Sequence, residues 1–241
     1  MSKAERAAAI VLAAGSGKRM GSEKPKQFLD LCGQPALYWT LLSFEKSSVD
    51  AVVVVVSSAE AGDYVRDGIV VKNGFNKIVS IVSGGAERYD SVWKGLCAIE
   101  DGAFQGAEYV LIHDGARCLV TPEIIDRTIS DTKRFGSGVA SMPVKDTIKR
   151  ADEKGFSAET IDRSTLRQMQ TPQTFFYREI YEAYAELMKT EPRPKVTDDA
   201  EVLERMKGRK AYLSEGSYEN LKLTTPEDLI LAEALLKKRL T

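Results

Sequence analysis

Ala51 followed by five consecutive valines, Val52–Val56, is the most uniformly apolar run in the chain. An unbroken β-branched run, rather than an alternating one, predicts a strand covered on both faces. Shorter apolar runs at Ala8–Leu12, Lys77–Val82, Tyr109–Ile112 and Gly138–Met142 predict further strands. Helical periodicity fits the intervening stretches from Pro35 to Lys46, Asp90 to Glu100 and Pro122 to Phe135. Two helix starts are marked by Thr at N-cap, Pro at the first helical position and acid in the first turn: Thr121-Pro122-Glu123 and Thr225-Pro226-Glu227-Asp228. Strands alternating with helices predict an α/β fold, a mostly parallel sheet flanked by helices on both faces.

From Pro143 to Gln173 the rhythm breaks. Pro143–Arg150 reads as a strand of alternating character, Asp152-Glu153-Lys154-Gly155 as a turn and Glu159–Arg163 as a returning strand. The result is a polar β-arm at about 142–165, inserted into the α/β pattern. A lone two-stranded hairpin is marginal in water, so a second subunit is the simplest thing for it to pack on. The chain shows no internal repeat or low-complexity tract, and Glu191–Lys195 reads as a short loop, so 1–241 is expected to be a single domain.

Composition narrows the function. With 34 Lys+Arg against 35 Asp+Glu the net charge is −1, which excludes a strongly basic nucleic-acid binder. Cys32, Cys97 and Cys118 are widely spaced and form no CxxC pair, so they read as reduced, buried packing residues of a cytoplasmic protein. His113 is the single histidine, which leaves no His-based metal site and makes a structural hydrogen-bonding role the better reading than a base. No apolar run reaches the length of a membrane span, and Ala7–Ala14 reads as a buried strand feeding a loop rather than a signal peptide.

That loop is the most informative stretch. Leu12-Ala13-Ala14-Gly15-Ser16-Gly17-Lys18-Arg19-Met20-Gly21 runs on into Lys24-Pro25-Lys26-Gln27. Small residues let the backbone approach phosphate closely, and the basic side chains supply the charge a polyphosphate needs. The spacing is not that of a P-loop, and Met20 stands where a dinucleotide fingerprint has its third Gly. On the residues alone, phosphate binding competes with a Gly turn followed by a solvated basic face.

The motif Leu-Ala-Ala-Gly-x-Gly-x-Arg-Met followed by Pro-Lys-Gln resembles the signature loop of sugar- and alditol-phosphate nucleotidyltransferases. The version here most resembles the 2-C-methyl-D-erythritol 4-phosphate cytidylyltransferase family. The resemblance continues through Gly84–Val92, His113–Arg117, Pro143–Arg150, Gln170-Thr171-Pro172-Gln173, Thr197-Asp198-Asp199-Ala200 and Asn220–Leu229, in order and over nearly the whole chain. It implies a Rossmann-like sheet with the arm serving dimerisation. It also implies transfer of the cytidylyl group of CTP to methylerythritol phosphate, with Mg²⁺ and release of pyrophosphate, in isoprenoid precursor synthesis. Arg19 and Lys26 match the catalytic cations. Ala13, Ala14, Gly15, Ser16 and Gly17 match the nucleotide loop, with Lys18 beside its phosphates. Gly85 and Ser91 match positions near the cytosine and its sugar, and Lys222 a cation near the reacting phosphates. Asp114 matches an acid near the metal and the substrate hydroxyls, and the pair Asp198-Asp199 is the other candidate metal contact. Thr147 and Arg163 match acceptor binders supplied by the partner's arm.

Two departures stand out: Ala86 where some members carry Asp, and Cys118 where Pro is common, which implies a somewhat looser loop there. The plainer readings are a strand-end cap for Asp114, an N-cap with first-turn charges for Thr197-Asp198-Asp199, and solvated edge charges for Lys145, Lys149 and Arg150. Trp39 and Trp93 read as core. The nearest rival activity is cytidylyl transfer to ribitol 5-phosphate; a rival of another class is a catalytically silent nucleotide-binding protein. No nucleic-acid or membrane partner is expected.

Overall fold

The computed structural model describes residues 6–15 and 24–240. In chain order its elements are β1 (Ala7–Ala13), β2 (Asp30–Leu31), β3 (Gln34–Pro35), α1 (Ala36–Lys46), β4 (Ala51–Val56), α2 (Ala59–Asp63), β5 (Ile78–Ser83), α3 (Arg88–Ala98), β6 (Tyr109–Asp114) and α4 (Pro122–Phe135). They continue with β7 (Ser137–Pro143), β8 (Ile148–Ala151), β9 (Ser157–Ile161), β10 (Arg167–Phe176), α5 (Tyr177–Lys189), α6 (Asp199–Lys207), β11 (Leu213–Glu215) and α7 (Pro226–Leu240). A π-helical stretch, Tyr64–Val71, prolongs α2.

Seven strands form the main sheet in the order β11-β7-β10-β6-β1-β4-β5, and β10 alone runs against its neighbours. Alternation along the central strands divides their side chains between two layers. Ala9, Val11, Val52, Val54 and Leu111 pack with Leu41 and Phe44 of α1 and Ile125 of α4. Ala8, Ile10, Val53, Val55, Val110 and Ile112 pack with Leu96 of α3, Tyr184 of α5 and Leu203 of α6. The five valines of β4 are no more than 1% exposed. Each such side chain contributes about 1.5–3 kcal/mol on burial, which makes this strand a seam common to both layers.

The strand and helix predictions hold with shifts of one or two residues, and α4 has the predicted limits. Thr121 caps α4 through a 3.4 Å bond from the Ile124 N–H, and Gly136 leaves it at φ 91°. At α7, Asp228 Oδ2 accepts the Thr224 and Thr225 N–H groups, each at 2.8 Å.

The arm differs from its prediction. Strand pairing lapses over 144–147, so Pro143 ends β7 and the arm proper is β8 paired with β9, its turn closed by Gly155 at φ 87°. The polar stretch Lys145-Asp146-Thr147 is exposed and has no strand to pair with. Cross-strand bonds Arg150–Glu159 (3.1 Å) and Lys149–Thr160 (3.0 Å) are exposed, in line with solvated edge charges. Cys118 is buried, but Cys32 and Cys97 are only partly so, as are Trp39 and Trp93, which sit at the margins of the apolar layers. Trp39 stays at the margin because its indole N–H donates to the Leu31 carbonyl at 2.7 Å.

Candidate active site

Parallel strands deliver their carboxyl ends to one edge of the sheet, and loops there converge where neighbouring connections depart in opposite directions. The ends of β1, β5 and β6 do so here, carrying Ala14-Gly15, Gly84-Gly85 and Asp114. They surround a cleft of about 360 Å³.

The start of the first loop is pinned by Gln27, 2% exposed, whose amide donates to the carbonyls of Ala13 (2.6 Å) and Gly15 (3.2 Å). Beside it Lys26 Nζ donates to the Leu223 carbonyl at 2.7 Å, which ties this loop to the segment carrying Lys222. The second loop bends at Gly84-Gly85. Lys94 Nζ holds the Gly84 carbonyl at 2.7 Å, and the Gly85 N–H donates to Ser91 Oγ at 3.1 Å. A Cβ on Gly85 would stand 2.3 Å from the Asp90 Cβ, so only glycine lets the bend pass this close to α3.

Asp114 sits on the last residue of β6. Lys222 Nζ donates to its Oδ2 at 2.7 Å and Arg88 Nε to its Oδ1 at 3.3 Å. Burial alone would raise this carboxyl, but the Arg88 guanidinium, and then Lys222, hold it well below the ordinary carboxylate range. The carboxylate is thus ionised, and its plain reading as a strand-end cap gives way to a charged group facing a cleft.

His113, fully buried one residue earlier, is pushed down to about 3 by burial and is neutral at physiological pH. Its Nε2 faces the Arg117 carbonyl at 3.3 Å, which requires the proton there. Nδ1 therefore accepts from Thr171 Oγ1 at 3.0 Å, and the same hydroxyl accepts the Asp114 N–H at 3.1 Å. The histidine is a fixed link in a hydrogen-bond chain, with no free lone pair to act as a base.

Both polar motifs of the second half of the chain turn out to brace this edge. Thr171 of β10 holds Asp114 as described. Two residues on, Gln173 Oε1 accepts the N–H groups of Asp199 (3.0 Å) and Ala200 (2.9 Å), and its amide donates to Asp198 Oδ2 at 2.9 Å. Asp198, not Thr197, is the N-cap of α6, because its carboxylate takes the Glu201 N–H at 2.9 Å while Thr197 bonds to the Glu201 side chain. Asp199 is more than a first-turn charge. It is fully buried and grips Arg88 with two bonds of 2.9 and 2.7 Å.

Of the residues predicted for the site, Ala14, Gly15, Lys26, Gly85, Ser91, Asp114 and Lys222 line the cleft together. Ala13 ends β1 just beneath, its carbonyl bound to Gln27. Ser16, Gly17, Lys18 and Arg19 lie outside the described residues. Thr147 and Arg163 are not in this cleft; both are exposed at the root of the arm, where Arg163 donates to the Lys145 carbonyl. Gln27, Glu87 and Arg88 line the cleft without having been assigned roles from the sequence. The signal for Arg88 was its place in the Gly84–Val92 block. The expected looseness at Cys118 is not found: it is 2% exposed, with its thiol pushed up to about 12 by burial. The preceding Arg117 is anchored to the Asn220 carbonyl at 2.8 Å, so packing holds the path that proline would impose.

No cluster of three or more His, Cys, Asp or Glu suited to a metal ion occurs among the described residues. Nor is any helix among them long and apolar enough to cross a membrane.

Residues 7–238 match the family model described as IspD: 2-C-methyl-D-erythritol 4-phosphate cytidylyltransferase. A protein of that name from Clostridium acetobutylicum is 45% identical over 231 residues, spanning 95% of this chain and 97% of the relative. One from Clostridium botulinum is 46% identical over 95% of this chain and 96% of the relative. Among solved structures, the 4-diphosphocytidyl-2C-methyl-D-erythritol synthase of Anaerococcus prevotii superposes with a TM-score of 0.81 at 30% identity, covering 97% of this chain and 99% of that one. The cytidylyltransferase of Thermus thermophilus does so with 0.73 at 28% identity, covering 95% and 98%. The chain belongs to the 2-C-methyl-D-erythritol 4-phosphate cytidylyltransferase family.

Proposed function

We propose that this protein transfers the cytidylyl group of CTP to 2-C-methyl-D-erythritol 4-phosphate, giving CDP-methylerythritol and pyrophosphate for isoprenoid precursor synthesis. One observation carries the reading: a single cleft joins the glycine-containing loop, the Gly84-Gly85 bend, two lysines and an ionised Asp114, and the only histidine lies behind it without a free nitrogen. The chemistry needs no base. A phosphate monoester has its second pKa at about 6 and is already a nucleophile at neutral pH. What opposes reaction is repulsion between two anions, and fixed cations with in-line positioning relieve it.

In this mechanism the cytosine lies against Gly85 and Ser91, where the bend offers main-chain donors and acceptors. Ala13, Ala14, Gly15, Ser16, Gly17 and Lys18 wrap the triphosphate. Arg19 and Lys26 stabilise charge on the α-phosphate and on the leaving pyrophosphate, and Lys222 acts beside them. Asp114, oriented by Lys222 and Arg88, receives hydroxyls of the acceptor. Thr147 and Arg163 bind the acceptor phosphate in the cleft of a second protomer, across a homodimer formed by the arm, whose exposure as an isolated hairpin supports that use.

The donor set fits a magnesium ion that arrives with the triphosphate, since such ions bind through one or two carboxylates plus phosphate oxygens. Asp114 would hold it, and the ion would neutralise phosphate charge. We place this single nucleotidyltransferase domain in the cytoplasm, on its three free cysteines.

The test is a product assay with CTP, Mg²⁺ and a panel of polyol phosphates, following pyrophosphate and the cytidine diphosphate product. Methylerythritol 4-phosphate should be preferred over ribitol 5-phosphate. Preference for ribitol phosphate would reassign the acceptor, and no product with any polyol phosphate would leave a silent nucleotide-binding protein.

A further inference from the structure

Arg88 lines the cleft, but the partner that holds it from behind, Asp199, has no part in the mechanism above. Arg88 points one nitrogen at Asp114 and the other two at Asp199, 111 residues later in the chain. Asp199 has no solvent exposure, and every other group around it fixes its place. Tyr184 donates its hydroxyl to Oδ1 at 2.6 Å, and Gln173 accepts the backbone N–H at 3.0 Å. The fork of a guanidinium against a carboxylate is directional, so two bonds to Asp199 set the plane in which Nε meets Asp114. Asp114 lies between Arg88 and Lys222, and Lys222, 38% exposed, reaches it from the solvent side. The other side of the carboxylate is held by a guanidinium that is itself clamped.

We propose that Asp199 is a positioning residue for the acceptor: it fixes Arg88, and through Arg88 it fixes the Asp114 carboxylate that receives the acceptor hydroxyls. The role rests on the functional reading above. Without Asp199, Arg88 is free to close fully on Asp114, pulling its oxygens from the cleft. Asp199 touches no substrate; a misplacement of about 1 Å at the group that does is enough to cost roughly tenfold to a hundredfold in turnover efficiency.

Removing Asp199 alone would leave Arg88 with Asp114 as its one carboxylate and the buried Tyr184 hydroxyl without its acceptor, and Asp199→Asn is open to simple misfolding. The informative variant removes both charges, Arg88→Met with Asp199→Leu, since replacing a buried ion pair by apolar groups of similar volume is commonly neutral for stability, which leaves the unpaired Tyr184 hydroxyl as the cost to be read in the thermal unfolding. Steady-state kinetics with CTP, Mg²⁺ and methylerythritol phosphate, together with thermal unfolding, are measured for the wild type and for this double variant. The same pair of changes is then made in an Asp114→Asn background.

The expected result is a folded double variant with kcat/KM for the acceptor down by roughly tenfold or more and KM for CTP within about twofold. In the Asp114→Asn background the pair should cost less than about twofold further, because the group it serves is gone. A folded double variant with wild-type acceptor kinetics would show the pair to be structural and overturn the role. So would an undiminished loss in the Asp114→Asn background, which would mean that Arg88 meets substrate directly. A wild-type protein inactive on every polyol phosphate would overturn the functional reading itself, a result separable from both.

Discussion

His113 offers a prediction whose size follows from the structure. The imidazole is fully buried, and that burial pushes its pKa from an ordinary 6.5 down to about 3. The folded protein therefore keeps it neutral over a range in which the unfolded chain binds a proton. A histidine depressed in this way contributes stability that is complete above pH 6.5 and is lost as pH falls toward 3. Each pH unit within that window is worth about 1.4 kcal/mol, so lowering the pH from 6.5 to 5 should cost about 2 kcal/mol through this one residue. Asp114 does not confuse the measurement. Its folded pKa lies below its ordinary 3.8, so its contribution is lost only below that pH. The comparison is His113→Asn, whose amide oxygen can still accept the Thr171 hydroxyl but which leaves the Arg117 carbonyl without its donor. The variant starts lower in stability by about 1–3 kcal/mol. Urea unfolding of both proteins at pH 8, 6.5 and 5 reads the slopes. The wild type should lose about 2 kcal/mol more than the variant between pH 6.5 and 5. Parallel pH profiles would refute the buried neutral imidazole. Folded His113→Asn should also keep substantial turnover at pH 8, and a loss on the scale of removing a general base, about 10²-fold or more, would contradict the baseless mechanism.

Other consequences follow from the same geometry. Gly85→Ala places a Cβ 2.3 Å from the Asp90 Cβ, so it should cost about 1–3 kcal/mol of stability and weaken CTP binding; calorimetry finding unchanged affinity would show that the bend does not meet the nucleotide. Lys222→Met removes a pair whose lysine is 38% exposed, so stability should change by less than about 1 kcal/mol while kcat falls about 10²-fold or more. Equal modest effects on both would make that lysine a surface charge. Phe156, 70% exposed near the tip of the arm, should become less so in the dimer. Sedimentation at micromolar concentration should give a dimer, weakened by Phe156→Asp, and a wild-type monomer would leave Thr147 and Arg163 without the roles proposed for them.

Legibility followed the chemistry of burial. The valine run of β4 and the capped α4 could be read from the chain because apolar period and capping residues coincide there. β10 could not. Its buried positions include Gln170, Thr171, Gln173 and Thr174, and Pro172 falls where the pairing register shifts between Met169 and Gln173. Polar residues are tolerated there because they are bonded across layers, as Thr174 Oγ1 is to Thr128 Oγ1 at 2.8 Å. For the same reason β6 runs two residues beyond its apolar core, through His113 and Asp114. α5 was legible but missed: Tyr177, Ile180, Ala183, Tyr184 and Leu187 recur at helical spacing. At the site, the local motifs were readable one by one. Their mutual bracing was not, because Arg88 and Asp199 share no local pattern and meet only once the starts of α3 and α6 are brought together in the fold.

The most direct test of the account is a crystal structure of the protein with cytidine triphosphate bound. The cytosine should lie against Gly85 and Ser91, and the phosphates should run past Gly15 toward Lys26 and Lys222. A nucleotide seated elsewhere, with this cleft empty, would contradict the claim that these fixed cations carry the transfer.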